Sequence, residues 1–383
     1  MSKVKTATAG LIERIERIME KFEGLNVSSK FAICGLPLRV DSYKTCSFGC
    51  RYCFANGRKI MEFEKNLLIA NTDSIERRLQ RIFKDKDYDP HNFLDALIAN
   101  GVTWHCGGMS DPFQPINEKL KVTNRIIDIT NDYGISILFS TKSDTLHGAN
   151  VRPDLHTFQL SVSNVHNRRD IEPEVPDIES RYRMFCELKE RGFKVGIRIQ
   201  PFIPGVSDLG IVEMFRDADH FTIEGLKIIP QEGEQKDFCF GELGMKPSHF
   251  TQMGLLNMLP EWRYELYQPF VAYFNEHGIS FSISDNDMRW MGNNVCCCGD
   301  KLAKHATGFD VTAMIMKRKN QPWSLDNVLH EVGCYRQCKA YDLFTSNRTE
   351  GCKTVEDFYR MRFGRSSSPF SPKFQYYHAP TLF

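Results

Sequence analysis

Cys46-Ser47-Phe48-Gly49-Cys50-Arg51-Tyr52-Cys53 brings three thiols together at C-x3-C-x2-C spacing. With 13 cysteines in 383 residues, that spacing arises by chance only about 0.015 times per chain of this composition. An iron-sulfur cube is ordinarily held by four thiolates, one on each iron. A close-spaced trio therefore either borrows a distant fourth or leaves one iron open to a small molecule. In the second case the cluster is a reagent. Zinc ligation and incidental core thiols are the alternatives. Cys46, Cys50 and Cys53 are thus the first metal-ligand candidates.

Working outward, the trio follows a short β-rich run, Leu38–Tyr43, as an active-site loop follows the carboxyl end of a strand. Further strand-like runs are Gly134–Ser140, Thr157–Val162, Phe193–Gln200, Thr222–Ile229 and Ile279–Ser284, with Val102–Cys106 weaker. Between them, Asn117–Asp132 and Asp177–Arg191 repeat apolar residues three and four apart. The second is opened by an Asp cap and closed by Gly192. Strand, helix, strand in series predicts a parallel α/β sheet. Leu11, Ile12, Ile15, Ile18, Met19 and Phe22 lie at helical spacing before Gly24, and Ser248 to His277 reads as helical with breaks at Pro260 and Pro269. The domain expectation is an N-terminal helix over 1–30, an α/β body over 31–284, and a Cys-rich extension over 285–383 that ends in a mobile Ser/Pro-rich tail.

Composition narrows the class. At 42% hydrophobic the chain is long enough for one large core and a smaller lobe. No charged-then-apolar leader and no run of about 18 apolar residues is found, so the expected location is cytoplasmic, with no membrane partner. A reducing compartment makes the cysteines metal ligands and free thiols rather than disulfides. A net charge of +1 argues against a uniformly basic surface that coats nucleic acid. The pairs Arg77–Arg78 and Arg168–Arg169, together with Arg81, read as phosphate contacts or as solvated faces.

The second informative stretch is Trp104-His-Cys-Gly-Gly-Met-Ser-Asp-Pro-Phe-Gln-Pro115, where Gly107 and Gly108 let the backbone approach a ligand closely. Phe139-Ser-Thr-Lys142 and Phe158-Gln-Leu-Ser161 follow at later strand ends. With the cysteine trio, these motifs resemble the radical S-adenosylmethionine (SAM) superfamily, in its spore photoproduct lyase branch, over residues 38 to 230. The resemblance implies a partial parallel (β/α)6 barrel. It also implies a 4Fe-4S cluster whose open iron binds SAM, and reductive cleavage to a 5′-deoxyadenosyl radical. Tyr52 would lie near the adenine. Gly107, Gly108, Ser110, Lys142 and Ser161 would orient SAM. An external electron donor such as a flavodoxin or ferredoxin, and a nucleic acid or nucleotide substrate, are implied likewise. A small-molecule or peptide substrate is the alternative. The branch places a hydrogen-donating cysteine where this chain has Gly108. Cys106, two residues earlier and so on the same side of an extended strand, is the substitute candidate, with a buried core thiol as the plain reading.

The C-terminal cysteines form a third group: Cys296, Cys297 and Cys298, then Cys334 and Cys338, then Cys352. A second iron-sulfur cluster, a zinc ion and unligated thiols are the three readings. Adjacent side chains diverge, so at most two of the consecutive three are expected on one metal. Cys34 and Cys239 have no partner in spacing. From a different class, a non-catalytic iron-sulfur or zinc protein that senses redox state or binds nucleic acid fits the same cysteines.

Overall fold

The computed structural model describes residues 21–28, 34–55, 67–285, 287–294 and 296–306. Its centre is an eight-stranded sheet formed by β1 (Leu25–Val27), β2 (Leu38–Val40), β3 (Trp104–Cys106), β4 (Ile137–Thr141), β5 (His156–Ser161), β6 (Lys194–Phe202), β7 (His220–Gly225) and β8 (Phe281–Ile283). The strands lie in chain order across the sheet. β2 to β8 pair in parallel, and β1 runs antiparallel along the edge. This is the parallel α/β architecture expected, an open partial barrel with one more parallel strand than the six foreseen.

Alternation along each strand sorts the side chains. Val40, Phe139, Phe158, Ile197 and Ile223 face the helices and are fully buried. Phe139 and Phe158 stack with centroids 5.5 Å apart, and Phe158 meets Phe193 edge-on at 5.3 Å. The opposite, concave face is polar: Arg39, His105, Ser140, Gln159, Arg198 and Thr222 stand on it. Asn71 caps helix Thr72–Leu79, and its side chain accepts the Ser74 amide. The expected helix over 117–132 is divided into Ile116–Leu120 and Val122–Asp132 by Lys121 at φ 55°.

Three expectations change. Of the proposed N-terminal helix, residues 1–20 fall outside the described part, and Lys21–Phe22 is extended, paired with Ile69–Ala70. Beyond the 3-10 turn Pro247–His249, residues 250–258 are not helical. Phe250–Met253 and Leu255–Met258 form a hairpin about Gly254 at φ 80°, joined by Lys227–Ile228 into a three-stranded unit. Apolar spacing alone does not separate a short helix from such a hairpin. The helix itself starts at Pro260, where a fixed φ suits the first turn, and runs to Glu276. Finally, residues 296–306 do not stand apart from the barrel. They lie on its concave face, where Thr103 N donates to His305 O at 2.9 Å, Thr157 Oγ1 to Leu302 O at 2.8 Å, and Thr222 Oγ1 to Cys297 O at 2.5 Å. Gly196 leaves the room that Leu302 needs. Residues 307–383, with Cys334, Cys338 and Cys352, lie outside the described part.

Phe158 joins the aromatic stack to the sheet. The Phe158→Ala variant is expected to lose about 3–5 kcal/mol of stability, measured by urea unfolding.

Candidate functional site

The loop 46–53 leaves the carboxyl end of β2 and is clamped from several sides. Gln114, fully buried, accepts the Ser47 amide at 2.8 Å and donates to Thr45 O at 2.8 Å, so it brackets Cys46. Gly49 turns the chain at φ 62°. Arg51 N donates to Ile171 O at 3.0 Å, and Gln235 Nε2 donates to Tyr52 O at 2.6 Å. Phe48, Cys50 and Tyr52 sink into an apolar cluster with Leu226, Ile228 and Met258 of the three-stranded unit, while Cys46 and Cys53 are half-buried at its edge.

Burial dominates the electrostatics of these thiols. It pushes Cys46 up to about 12, with the Asp111 carboxylate adding to the effect. Cys50 is raised by burial and then by Glu172, against the opposing Lys142 ammonium. A bare loop thus keeps its thiols protonated, and iron would supply the positive charge that makes them thiolates. Cys239 shares the apolar cluster, but burial alone raises its thiol to about 12. Among the described residues no three His, Cys, Asp or Glu side chains surround one point closely enough for a single metal ion. A cube does not require that, since each thiolate takes a different iron. The trio, on one anchored loop, fits such a cluster.

Beside the trio, the turn after β3 is held tightly. Gly107 has φ 97°, and a Cβ there would run into the Ser140 carbonyl. Asp41 Oδ1 accepts the Met109 amide at 3.2 Å. Ser110, buried, donates its hydroxyl to Tyr43 O at 2.6 Å. Asp111 takes Thr141 Oγ1 at 2.7 Å and the Lys142 amide at 2.6 Å, tying this turn to the end of β4.

Glu172 organises the next cluster, and no local motif marks it in the sequence. Its carboxylate accepts the Tyr52 hydroxyl, Asn164 Nδ2 at 2.9 Å and the Lys142 ammonium at 2.8 Å. Lys142 Nζ also reaches Ser161 O at 3.3 Å and lies 5.6 Å from the Tyr52 ring centroid. The structure therefore gathers Tyr52 and Lys142 around one buried carboxylate, with the Ser161 carbonyl on Lys142, beside the Gly107, Gly108 and Ser110 turn.

Cys106 is a correction. The residue that lines the concave face from β3 is His105, whose Nε2 meets Ser140 Oγ at 2.8 Å. Cys106 points the other way, fully buried among core side chains and in register with Phe139. Two residues on, Gly108 already belongs to a turn, so same-side alternation fails there. Cys296, Cys297 and Cys298 gather with Cys34 in a small cluster on the concave side, with the Cys297 and Cys298 sulfurs 3.8 Å apart. A second cluster or zinc draws no support from the described residues. The basic groups are largely committed: Arg78 and Arg81 to Asp95, Arg168 to Asp170, Arg169 to Asp177.

Burial works to raise the Glu172 carboxyl, but Lys142, Arg181 and the hydrogen bonds outweigh it and hold it below its ordinary 4.5. Its stabilising contribution is therefore present above that value and is lost as pH falls through the lower folded one. Glu172→Gln leaves Lys142 without its counter-charge. It is expected to cost about 3–5 kcal/mol at neutral pH, and its urea midpoint should fall less on acidification than that of the wild type. Gly107→Ala is expected to displace the turn, read as a lower urea unfolding midpoint than the wild type, because its Cβ would meet the Ser140 carbonyl.

No family model matches the chain. An uncharacterized protein of Methanocaldococcus jannaschii is 25% identical over 210 residues, 51% of this chain and 73% of the relative. An uncharacterized protein of Mycobacterium tuberculosis is 22% identical over 186 residues, 46% of this chain, and the match spans about half of that relative, 53%. Among solved structures, two mutants of spore photoproduct lyase superpose with TM-scores of 0.52 and 0.51. They are 13% and 14% identical and cover 69% and 68% of this chain and 80% and 78% of theirs. At such low identity the likeness is one of fold, and the chain shares the fold of spore photoproduct lyase.

Proposed function

We propose that this protein is a radical SAM enzyme. The observation that carries the reading is the convergence, at the carboxyl ends of neighbouring parallel strands, of three thiols on one anchored loop with the Lys142, Glu172 and Tyr52 network. When bound, the reduced cluster and SAM supply a 5′-deoxyadenosyl radical that takes hydrogen from an unreactive C–H bond. Cys46, Cys50 and Cys53 would hold the cluster. Gly107 and Gly108 would let backbone meet the methionine end of SAM, and Ser110 and Ser161 would add hydroxyls. Lys142, paired to Glu172 in the structure, would offer its ammonium to the SAM carboxylate. The apolar unit over residues 226–258 covers the loop and keeps water from it. Electrons would come from an external donor such as a flavodoxin or ferredoxin.

A nucleotide or nucleic acid is the favoured substrate, since a mutant of the structurally similar lyase is described with a dinucleoside spore photoproduct. A small molecule or peptide is the alternative, and the outcome is of lyase or transferase type. Cys296, Cys297 and Cys298, with Cys334 and Cys338, are the candidates for a second iron-sulfur cluster or zinc.

Anaerobic reconstitution, reduction with dithionite in the presence of SAM and chromatography test the reading. The wild type is expected to yield 5′-deoxyadenosine and a variant with Cys46, Cys50 and Cys53 all changed to Ala to yield none. A cluster-loaded wild type that makes none favours a non-catalytic metal protein. Iron, sulfide and zinc counted in the same triple variant decide the second centre.

A further inference from the structure

Arg39 and Arg198 stand on the concave face with no carboxylate among the described residues hydrogen-bonded to either guanidinium. Arg198 leaves β6, its side chain 17% exposed, and spends Nη1 on Ser140 Oγ at 3.2 Å and Nε on Gln200. The nearest carboxylate, Glu224, is 3.9 Å away and already engaged by Lys227. Arg39 leaves β2 and turns Nη2 to Cys34 Sγ at 3.6 Å. Its neighbour Asp41 holds the Met109 amide. Among the described residues, therefore, no carboxylate comes within hydrogen-bond reach of either guanidinium. Burial leaves Arg198 below its ordinary value, against Cys297 and Cys298, which favour its charged form, and with a smaller lowering by Arg39. Two like charges sharing a cleft withdrawn from water are unfavourable unless an anion joins them.

The place of the pair identifies that anion. Arg39 Nη1 lies 3.7 Å from where a side chain on Gly108 would begin, and Gly108 is exposed. Ser140 Oγ joins Arg198 to His105 Nε2, which adds a polar partner. A planar guanidinium pair beside a hydroxyl matches an oxyanion in geometry as well as charge. Resting on the radical SAM reading of the adjacent turn, we propose that Arg39 and Arg198, aided by Ser140, form the subsite that grips an oxyanion of the substrate, a phosphate or a carboxylate. The reacting carbon then lies within a short reach of that group, next to the SAM site. The competing occupants of this face are the thiols of Cys34, Cys296, Cys297 and Cys298, which gather beside the two arginines.

Equilibrium dialysis of the full, reconstituted chain against radiolabelled inorganic phosphate, at constant ionic strength, tests the subsite. Thymidine 5′-monophosphate and succinate serve as competitors. Saturable binding to the wild type is expected, weakened at least tenfold in Arg39→Gln and in Arg198→Gln, retained in part by Arg198→Lys, and unchanged in Arg183→Gln on the exposed helix face. Stronger competition by the nucleotide assigns a phosphate, and by succinate a carboxylate. Should Arg198→Gln fail to fold, half-buried Arg39 carries the test. Failure of phosphate, nucleotide and succinate alike to bind the wild type would overturn the subsite. A wild type that cleaves SAM yet ignores these anions loses only this inference. One that binds them but makes no 5′-deoxyadenosine loses only the radical reading.

Discussion

Two-residue alternation in parallel strands is the constraint on which the rest depends. A strand in such a sheet has two buried faces, and each successive side chain must serve one or the other. On the helix side that demand fills the core with Phe139, Phe158, Ile197 and Ile223. On the concave side the same strands carry His105, Ser140, Gln159, Arg198 and Thr222. The site is thus polar because the outer face has absorbed the apolar residues. Its carboxyl-end loops are held rigidly because the strands beneath them cannot slip by one residue without exposing that core.

Low local polarity gives the loops their chemistry. Around the cysteine trio burial keeps thiols neutral and leaves them waiting for a cation. A short distance away the same burial would penalise Lys142 and Glu172, and each is stabilised by the other. Glu172 further binds Tyr52 from the cysteine loop and Asn164 from the loop after β5. One carboxylate thereby couples the position of the cysteine loop to that of the lysine. The segment 296–306 adds polar backbone to the concave face and narrows it from one side.

Where the reading from sequence failed, the failures have a common cause. The segment 250–258 is apolar enough for helix or hairpin, and Gly254 with the partner strand Lys227–Ile228 settled it as a hairpin. Cys106 was placed by extending strand alternation through Gly107, where the backbone leaves the strand at φ 97°. Glu172, Asp41 and Gln114 escaped notice because each acts on a residue far away in the chain and sits in no motif. Arg198 was legible in principle: a charge within the apolar run Lys194–Phe202 belongs to the face opposite the core.

By itself the sequence determined the elements whose causes are local. These are the parallel strands with their intervening helices, the cysteine spacing, and the glycines, serines and lysine at strand ends. Only the tertiary structure decided which side of each strand meets the cleft, that Lys142 and Tyr52 share Glu172, that residues 296–306 return to the barrel, and that Arg39 and Arg198 share the concave face. Spacing along a chain encodes local geometry, whereas the charge balance of a cleft is the sum of groups that meet only once the sheet has curved.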